Sequence, residues 1–155
     1  MMFFSSLYNG GAASITVEAM MSRPLVTIAP DAELWEARAK MRAHHIHHLL
    51  VEDRGRIVGI MSDRDIAHRL APSAGRDVAS RHDEEALHRR VLQVAAFQMT
   101  TIAATASIEE AAAALIEREV SALPVLDASG AAVGIVTSVD LLRGLLACVL
   151  PARAA

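Results

Sequence analysis

The sequence of 155 residues predicts a mixed α/β (α+β) fold in which one structural unit is used twice. The strongest observation is a repeated heptad: Gly59-Ile60-Met61-Ser62-Asp63-Arg64-Asp65 returns as Gly134-Ile135-Val136-Thr137-Ser138-Val139-Asp140. In addition, Thr27-Ile28-Ala29 matches Thr101-Ile102-Ala103 at an offset of 74 residues, which becomes 75 after one extra residue near Ser129. The composition, with 53% hydrophobic but only 3% aromatic residues, indicates a helix-rich α/β protein packed through small side chains.

Both units are predicted to begin with a short helical segment, at 17–21 and 91–97, followed by a strand at 25–28 and 100–103. The next helix is clearest in the second unit, where Ser107-Ile108-Glu109-Glu110 is a capping box. The apolar residues that fall on one face of this helix are Ile108, Ala111, Ala112, Leu115 and Ile116. In the first unit Leu34, Ala37 and Met41 keep the same spacing, with a less clear cap.

Two further strands follow in each unit, at 47–51 and 56–61 and again at 123–126 and 131–136. The segments between them, 52–55 and 127–130, contain acidic residues followed by Gly, which favours hairpins. A closing helix then ends near Pro72 and near Pro151. Since a three-stranded unit cannot bury both of its faces alone, we expect the two units to pack about a pseudo-twofold axis.

The predicted organisation of the chain is a tail at 1–14, a first unit at 15–70, a linker at 71–90, a second unit at 91–150 and a tail at 151–155. The linker is polar, which is typical of a solvated loop and helix, with a lid or a dimer contact as the alternative. Residues 1–14 lack a basic n-region, so no signal peptide is expected. The apolar stretch 141–150 is far shorter than the ~20 residues that span a bilayer. We therefore expect no membrane contact and a cytoplasmic protein.

Charge and cysteine content exclude several classes of protein. A net charge of −3 gives no indication of nucleic-acid binding, since such proteins normally carry a basic face. The single cysteine, Cys148, excludes an intramolecular disulfide framework and a cysteine-based zinc site. No Ser-His-Asp order, P-loop or nucleophile elbow is present, so we expect neither an enzyme nor a catalytic cofactor.

The repeated heptad itself predicts a ligand site. Each copy places a hydroxyl residue, and three positions later an Asp, where a strand turns into a helix. The free backbone N–H groups at the start of a helix attract phosphate, and a carboxylate beside them can accept the hydroxyls of a ribose. These residues therefore indicate a nucleotide-type site at each of the two strand–helix junctions.

Together with Met-Ser-Arg-Pro-Leu-Val-Thr-Ile at 21–28 and His47-His48-Leu49-Leu50-Val51, the heptad resembles the CBS (cystathionine β-synthase) domain. The duplication, over about residues 15 to 148, resembles the tandem CBS pair called a Bateman module. The resemblance implies a β-α-β-β-α fold in each repeat and two symmetry-related clefts for adenine nucleotides such as AMP or ATP, or for S-adenosylmethionine. It also implies homodimers. Leu50 stands where the family usually has Pro, which Pro124 keeps, and 94–97 departs from the usual Val-Met-Thr type.

The resemblance also assigns residues to the bound nucleotide. Asp65 and Asp140 would hold the ribose, Ser62 and Thr137 the sugar or phosphate, and Arg64 a phosphate. Their neighbours Asp63 and Ser138 complete these two junctions. The residues implied at the base in the first cleft are Thr27, Ile28, His48, Leu49 and Leu50. Those implied at the base in the second cleft are Thr101, Ile102, Ala122, Leu123 and Pro124.

The histidine run offers a second kind of site. His44, His45, His47 and His48 are candidate metal ligands, but side chains alternate along a strand, so only about two of them are expected to converge. The favoured interpretation places the first two at a helix end and either His47 or His48 in the nucleotide cleft, where affinity for phosphate would rise as pH falls. The favoured function is a regulatory module that binds an adenine nucleotide and signals to an effector protein. A ligand-free structural dimer and a metal-responsive protein are the alternatives.

Overall fold

The computed structural model describes residues 15–70 and 85–149. The predicted tails, the predicted linker up to residue 84, and Pro72 and Pro151 lie outside these residues. The first repeat contains α1 (Val17–Met20), β1 (Thr27–Ile28), α2 (Leu34–His44), β2 (His48–Asp53), β3 (Arg56–Ser62) and α3 (Asp63–Leu70). The second contains a 3₁₀ turn (Val91–Gln93), β4 (Ile102–Ala103), α4 (Ile108–Glu117), β5 (Ala122–Leu126), β6 (Ala132–Thr137) and α5 (Ser138–Val149).

Each repeat forms a three-stranded sheet, in the order β1-β2-β3 or β4-β5-β6. The first pair of strands is parallel and the second antiparallel in both sheets. Both ladders shift register at the same place, after Val51 and after Val125. The mixed fold with two tandem repeats is therefore confirmed, although β1 and β4 are shorter than the four-residue strands that the sequence predicts.

The hairpin turns depend on left-handed backbone conformations. Arg54 and Gly55 have φ angles of 50° and 76°, and Gly130 has 83°. In the second turn the Asp127 carboxylate accepts hydrogen bonds from the Ser129 N–H at 2.8 Å and the Ala131 N–H at 3.0 Å. Glycine adopts such angles without a steric penalty, which explains why an acidic residue followed by Gly predicts these hairpins.

The predicted capping box is present at the start of α4, where the Ser107 Oγ accepts the Glu110 N–H at 3.1 Å and the Glu110 carboxylate accepts the Ser107 N–H at 2.8 Å. The core side of α4 is carried by the buried residues Ala111 and Leu115. Ile116 is 76% exposed, so its predicted place on the core face is wrong. Ile116 follows Leu115 by one residue, a rotation of about 100°, so it lies beyond the edge of the buried stripe that carries Ala111 and Leu115.

Two separate cores hold the repeats together, and the segment that opens each repeat packs into the core of the other. Val17 and Met21, from the start of the first repeat, belong to the core of the second sheet. Val91 belongs to the core of the first sheet. Bridges between Ser22 and Ile135 and between Ala96 and Ile60 repeat this exchange in both directions. The two halves are thus interlocked about a pseudo-twofold axis.

The closing helix α5 is the longest helix among the described residues, with 12 residues. At about 1.5 Å per residue it is too short for a hydrocarbon core of about 30 Å. No helix in the ranges 15–70 and 85–149 is long and apolar enough to cross a membrane.

Candidate functional site

The two strand–helix junctions have matching hydrogen bonds. At the second junction Asp140 Oδ2 accepts the Thr137 N–H at 2.9 Å and the Thr137 hydroxyl at 2.7 Å. At the first, Asp65 Oδ2 accepts the N–H and the hydroxyl of Ser62, both at 2.7 Å. Each hydroxyl oxygen in turn accepts the N–H of its aspartate. One oxygen of each carboxylate therefore caps a helix, so part of the repeated motif has a local structural purpose.

The two aspartates differ in burial. Asp140 is only 7% exposed, the sole polar or charged residue among those described that is classed as buried, whereas Asp65 is partly exposed. The second oxygen of Asp140, Oδ1, lies 3.5 Å from the Arg143 guanidinium one turn further along α5. A buried carboxylate whose second oxygen has this single long contact retains strong capacity to accept hydrogen bonds.

A cavity of about 570 Å³, here called the inter-repeat cleft, opens beside Asp140. Its walls come from both repeats: the segment 22–26 together with His48 and Leu50 on one side, and residues 137–140 on the other. The bridge between Ser22 and Ile135 holds these two sides together. The volume lies within the roughly 300–1,000 Å³ that is usual for small-molecule sites.

Eight of the residues implied by sequence line this cleft. They are His48, Leu50, Ser62, Asp63, Arg64, Thr137, Ser138 and Asp140. Two of the five residues implied at the base in the first repeat, His48 and Leu50, therefore line the same cleft as the aspartate of the second repeat. This combination follows from the exchange of the opening segments, because that exchange pairs Ser22 with Ile135 of β6.

The other implied residues lie elsewhere. Thr27, Thr101 and Pro124 line a separate cavity of about 650 Å³ beside the hairpin turns. Ile28, Leu49 and Leu123 are buried core residues, Ala122 is 7% exposed, and Ile102 packs against the second core. Asp65 is not among the residues that line the cleft, although it caps the neighbouring helix α3.

Sequence reasoning missed Ser121, Arg143 and the segment 22–26. Ser121 Oγ lies 3.0 Å from His48 Nε2, a contact between residues 73 positions apart. No local pattern predicts it, although the 74-residue offset makes Ser121 the counterpart of His47. Arg143 could have been predicted, because a residue three positions after Asp140 on a helix lies on the same face as Asp140.

The electrostatics of the cleft depend on a partly buried histidine. Burial lowers the pKa of His48 below its usual value. Nearby Asp63 and Asp65 act in the opposite direction, while His47 and Arg64 add to the lowering. His48 is therefore neutral at pH 7, and a bound phosphate would favour its protonated form.

Two other histidines of the run have structural roles. His45 ends α2 in a left-handed conformation with φ of 53°. His47 Nδ1 lies 2.7 Å from Asp63 Oδ2. Within the ranges that the structure describes, which include all four histidines of the run, no three His, Cys, Asp or Glu side chains come together as a metal site.

The profile of the CBS domain family matches residues 17–72 and 93–147, which is most of the chain. A CBS domain-containing protein of Dictyostelium discoideum is 35% identical over 132 residues, covering 83% of this chain and 89% of that protein. L-aspartate semialdehyde sulfurtransferase of Methanocaldococcus jannaschii is 30% identical over 128 residues, covering 82% of this chain but 22% of that enzyme.

Solved structures share the fold. The CBS domain pair of protein MJ0100, in complex with 5′-methylthioadenosine and S-adenosyl-L-methionine, has a TM-score of 0.71 and 24% identity, covering 86% of this chain and 97% of the other. CBSX2 in complex with AMP has a TM-score of 0.68 and 24% identity, with the same coverage. With its duplicated sheets, interlocked cores and matching family profile, the chain belongs to the CBS domain family and contains a tandem pair of these domains.

Proposed function

We propose that the inter-repeat cleft binds an adenosine-containing ligand and that the protein is a regulatory module that responds to this ligand. The observation that carries the proposal is the buried Asp140 carboxylate on the wall of the cleft. Its Oδ2 is used by Thr137, while Oδ1 has only the 3.5 Å contact with Arg143. That oxygen can accept hydrogen bonds from ribose hydroxyls, which would replace the exposed guanidinium.

The remaining walls suit the other parts of such a ligand. Apolar side chains of Leu25, Val26 and Leu50 line one side, where an adenine ring can pack. Arg64 and Arg143 both line the cleft, and their positive charge favours a phosphate there. This charge favours AMP or ATP over S-adenosylmethionine, whose sulfonium is cationic. A response to AMP or ATP would make the module a sensor of cellular energy.

The relatives support the ligand class. The CBS pair of protein MJ0100 was solved with 5′-methylthioadenosine and S-adenosyl-L-methionine, and CBSX2 with AMP. All three ligands contain adenosine, the part that we assign to the cleft. The sulfurtransferase relative is an enzyme, but this chain matches only 22% of its length. We propose a binding role, without catalysis.

We also propose a homodimer that forms through α4 and α5. Large apolar side chains are exposed on these helices and the loop after α4: Ile116, Val120, Val139, Leu142, Leu145 and Leu146. Adjacent exposed apolar side chains mark an association surface, and a twofold dimer would bury the same patch on both copies. Ligand binding would shift the equilibrium between two geometries of this dimer. The shift in free energy is at most the ligand's difference in binding free energy for the two geometries, and an effector protein would recognise the change.

A ligand-free structural dimer is the second candidate function. The capping bonds of Asp65 and Asp140 favour it, because they give both aspartates a purpose without a nucleotide. The two candidate functions differ in the expected effect of Asp140→Asn, which removes the charge and keeps the shape of the side chain. Only a nucleotide-binding protein would lose affinity for AMP.

Isothermal titration with AMP, ATP and S-adenosylmethionine tests the proposal on wild type, Asp140→Asn and the matched control Asp65→Asn. We expect micromolar binding of AMP to wild type. Asp140→Asn should weaken it roughly 10- to 100-fold, since a hydrogen bond to a charged group contributes about 1.5–3 kcal/mol. Asp65→Asn, which makes the same change at the other junction, should bind AMP as wild type does.

Two results would contradict the nucleotide proposal. One is the absence of binding by wild type at millimolar concentrations of all three ligands, which would leave the structural dimer. The other is equal AMP binding by wild type and Asp140→Asn, provided that circular dichroism shows both proteins folded.

A further inference from the structure

Among the described residues of the first repeat, three arginines that have no partner lie together along one cavity. Arg38, Arg42 and Arg64 make none of the side-chain hydrogen bonds or ion pairs found there. All three line one cavity of about 790 Å³ between α2 and α3, here called the α2–α3 groove. Three positive charges therefore lie along one cavity of a chain whose net charge is −3.

The charge of this groove is not balanced from within. The one acidic residue on its wall is Asp63, and that carboxylate already lies 2.7 Å from His47 Nδ1. Arg38 and Arg42 are four residues apart on α2, a spacing at which like charges repel and destabilise a helix. A multiply charged anion between the guanidinium groups would offset this repulsion. Its oxygen atoms would also accept hydrogen bonds from the guanidinium groups, each of which can donate two parallel N–H bonds to one phosphate.

The fold itself does not require these arginines. At the 74- and 75-residue offsets, Arg38, Arg42 and Arg64 correspond to Ala112, Ile116 and Val139. The second repeat has the same strand order and the same closing helix with these uncharged residues. The arginines therefore point to a ligand of the first repeat and not to the stability of the domain.

The groove is continuous with the inter-repeat cleft. Both cavities are lined by His45, Ile46, His47, Asp63 and Arg64. A ligand whose adenosine lies beside Asp140 can therefore extend past Arg64 into the groove. AMP has one phosphate and would end near this boundary, whereas a triphosphate continues beyond it.

We propose that the α2–α3 groove binds a chain of phosphates. The chain is either the tail of a nucleotide held in the inter-repeat cleft, which rests on the proposed function, or a separate inorganic polyphosphate, which does not. In both cases Arg38 and Arg42 are the contacts beyond the reach of AMP, so they set how many phosphates the protein prefers.

The test compares ATP, AMP and inorganic tripolyphosphate on wild type and on the double variant Arg38→Gln/Arg42→Gln. The control is Arg54→Gln/Arg118→Gln, which removes the same charge at exposed positions outside the groove. Wild type and the control should bind ATP at least roughly tenfold more tightly than AMP, since each charge-assisted contact is strong. The groove variant should lose this preference and keep its affinity for AMP.

Asp140→Asn separates the two sources of phosphate. If tripolyphosphate binds wild type and Asp140→Asn equally but not the groove variant, the groove accepts inorganic polyphosphate. If tripolyphosphate does not bind but the ATP preference depends on Arg38 and Arg42, the groove takes the tail of the nucleotide. Unchanged binding of both ATP and tripolyphosphate by the groove variant would overturn the proposal. AMP binding that depends on Asp140 would still stand in that case.

Discussion

The paired helices α2 and α4 are alike at their buried positions and differ at exposed ones. Ala37 and Met41 of α2 are buried, as are their counterparts Ala111 and Leu115 of α4. One residue further along, the exposed position is a charged Arg42 in the first repeat and an apolar Ile116, 76% exposed, in the second. The fold constrains only the residues that pack against the sheet. After a duplication the outer face of each repeat is free to take a different partner.

The clefts differ for the same reason. His48 of the first repeat corresponds to Ala122, and Ser121 of the second corresponds to His47. The contact between His48 and Ser121 therefore has no symmetric equivalent of the same chemistry. We propose one principal ligand site, beside Asp140, with phosphate chemistry on the first repeat and self-association on the second.

The largest expected effect comes from placing a carboxylate on the exposed face of the closing helix of each repeat. Leu142→Glu should weaken self-association at least about 100-fold, because an unpaired carboxylate would be buried in the dimer contact at a cost of several kcal/mol. Ala67→Glu, at the corresponding position of the first repeat, should leave association unchanged and weaken binding of the phosphate chain in the groove, measured with both ATP and tripolyphosphate. Sedimentation velocity and titration measure the two properties.

A wild-type protein that stays monomeric at about 100 µM, a concentration at which even weak self-association is visible, would refute the dimer proposal. Equal association by Leu142→Glu and wild type would remove α5 from the dimer contact. In that case the exposed apolar side chains of the second repeat would belong to the contact with the effector protein.

The glycines of the repeated heptad offer a second comparison. A Cβ on Gly134 would lie 2.7 Å from Met21 Cγ, and one on Gly59 would lie 3.0 Å from the Ala96 carbonyl oxygen. Alanine at either position should lower the free energy of unfolding by about 1–3 kcal/mol, because both sites are closely packed. Gly134→Ala should also weaken AMP binding, since Met21 leads into the 22–26 wall of the cleft, whereas Gly59→Ala should not.

Urea denaturation followed by titration of the folded variants measures both effects. If the two variants lose AMP affinity to the same extent, the assignment of the ligand to one cleft is wrong. If both variants are as stable as wild type, the opening segments that carry Met21 and Ala96 move aside without a cost in the free energy of unfolding.

The smallest expected effect concerns pH. Burial lowers the pKa of His48 in the folded protein, so below its usual pKa near 6.5 the unfolded chain binds more protons there. The stability of wild type should therefore fall as pH drops from 7.5 to 5.5. His48→Ala, which carries the residue found at 122, should lose less stability over this range. Thermal unfolding at several pH values measures the difference, and identical slopes would mean that His48 does not couple to folding.

Much of the fold is predictable because its signals are local. The capping box at Ser107, the spacing of Leu34, Ala37 and Met41 and the Gly-containing hairpin turn at 127–130 each act within a few residues. Ile116 was misplaced because periodicity alone does not set how wide the buried stripe is. For the site, the repeated heptad was enough to identify both capping aspartates. The structure shows that Asp140 is the one on the wall of the cleft.

The sequence by itself determined the duplicated fold, the two strand–helix junctions and the aspartate at each, since these depend on short-range hydrogen bonds and on hydrophobic spacing. Only the tertiary structure decided which aspartate faces which wall. The opening segments exchange between cores, and this places Ser121 beside His48 from 73 residues away. It also brought Arg38, Arg42 and Arg64 from two helices onto one groove. No local pattern encodes such neighbours, because they arise when two apolar faces are buried against each other.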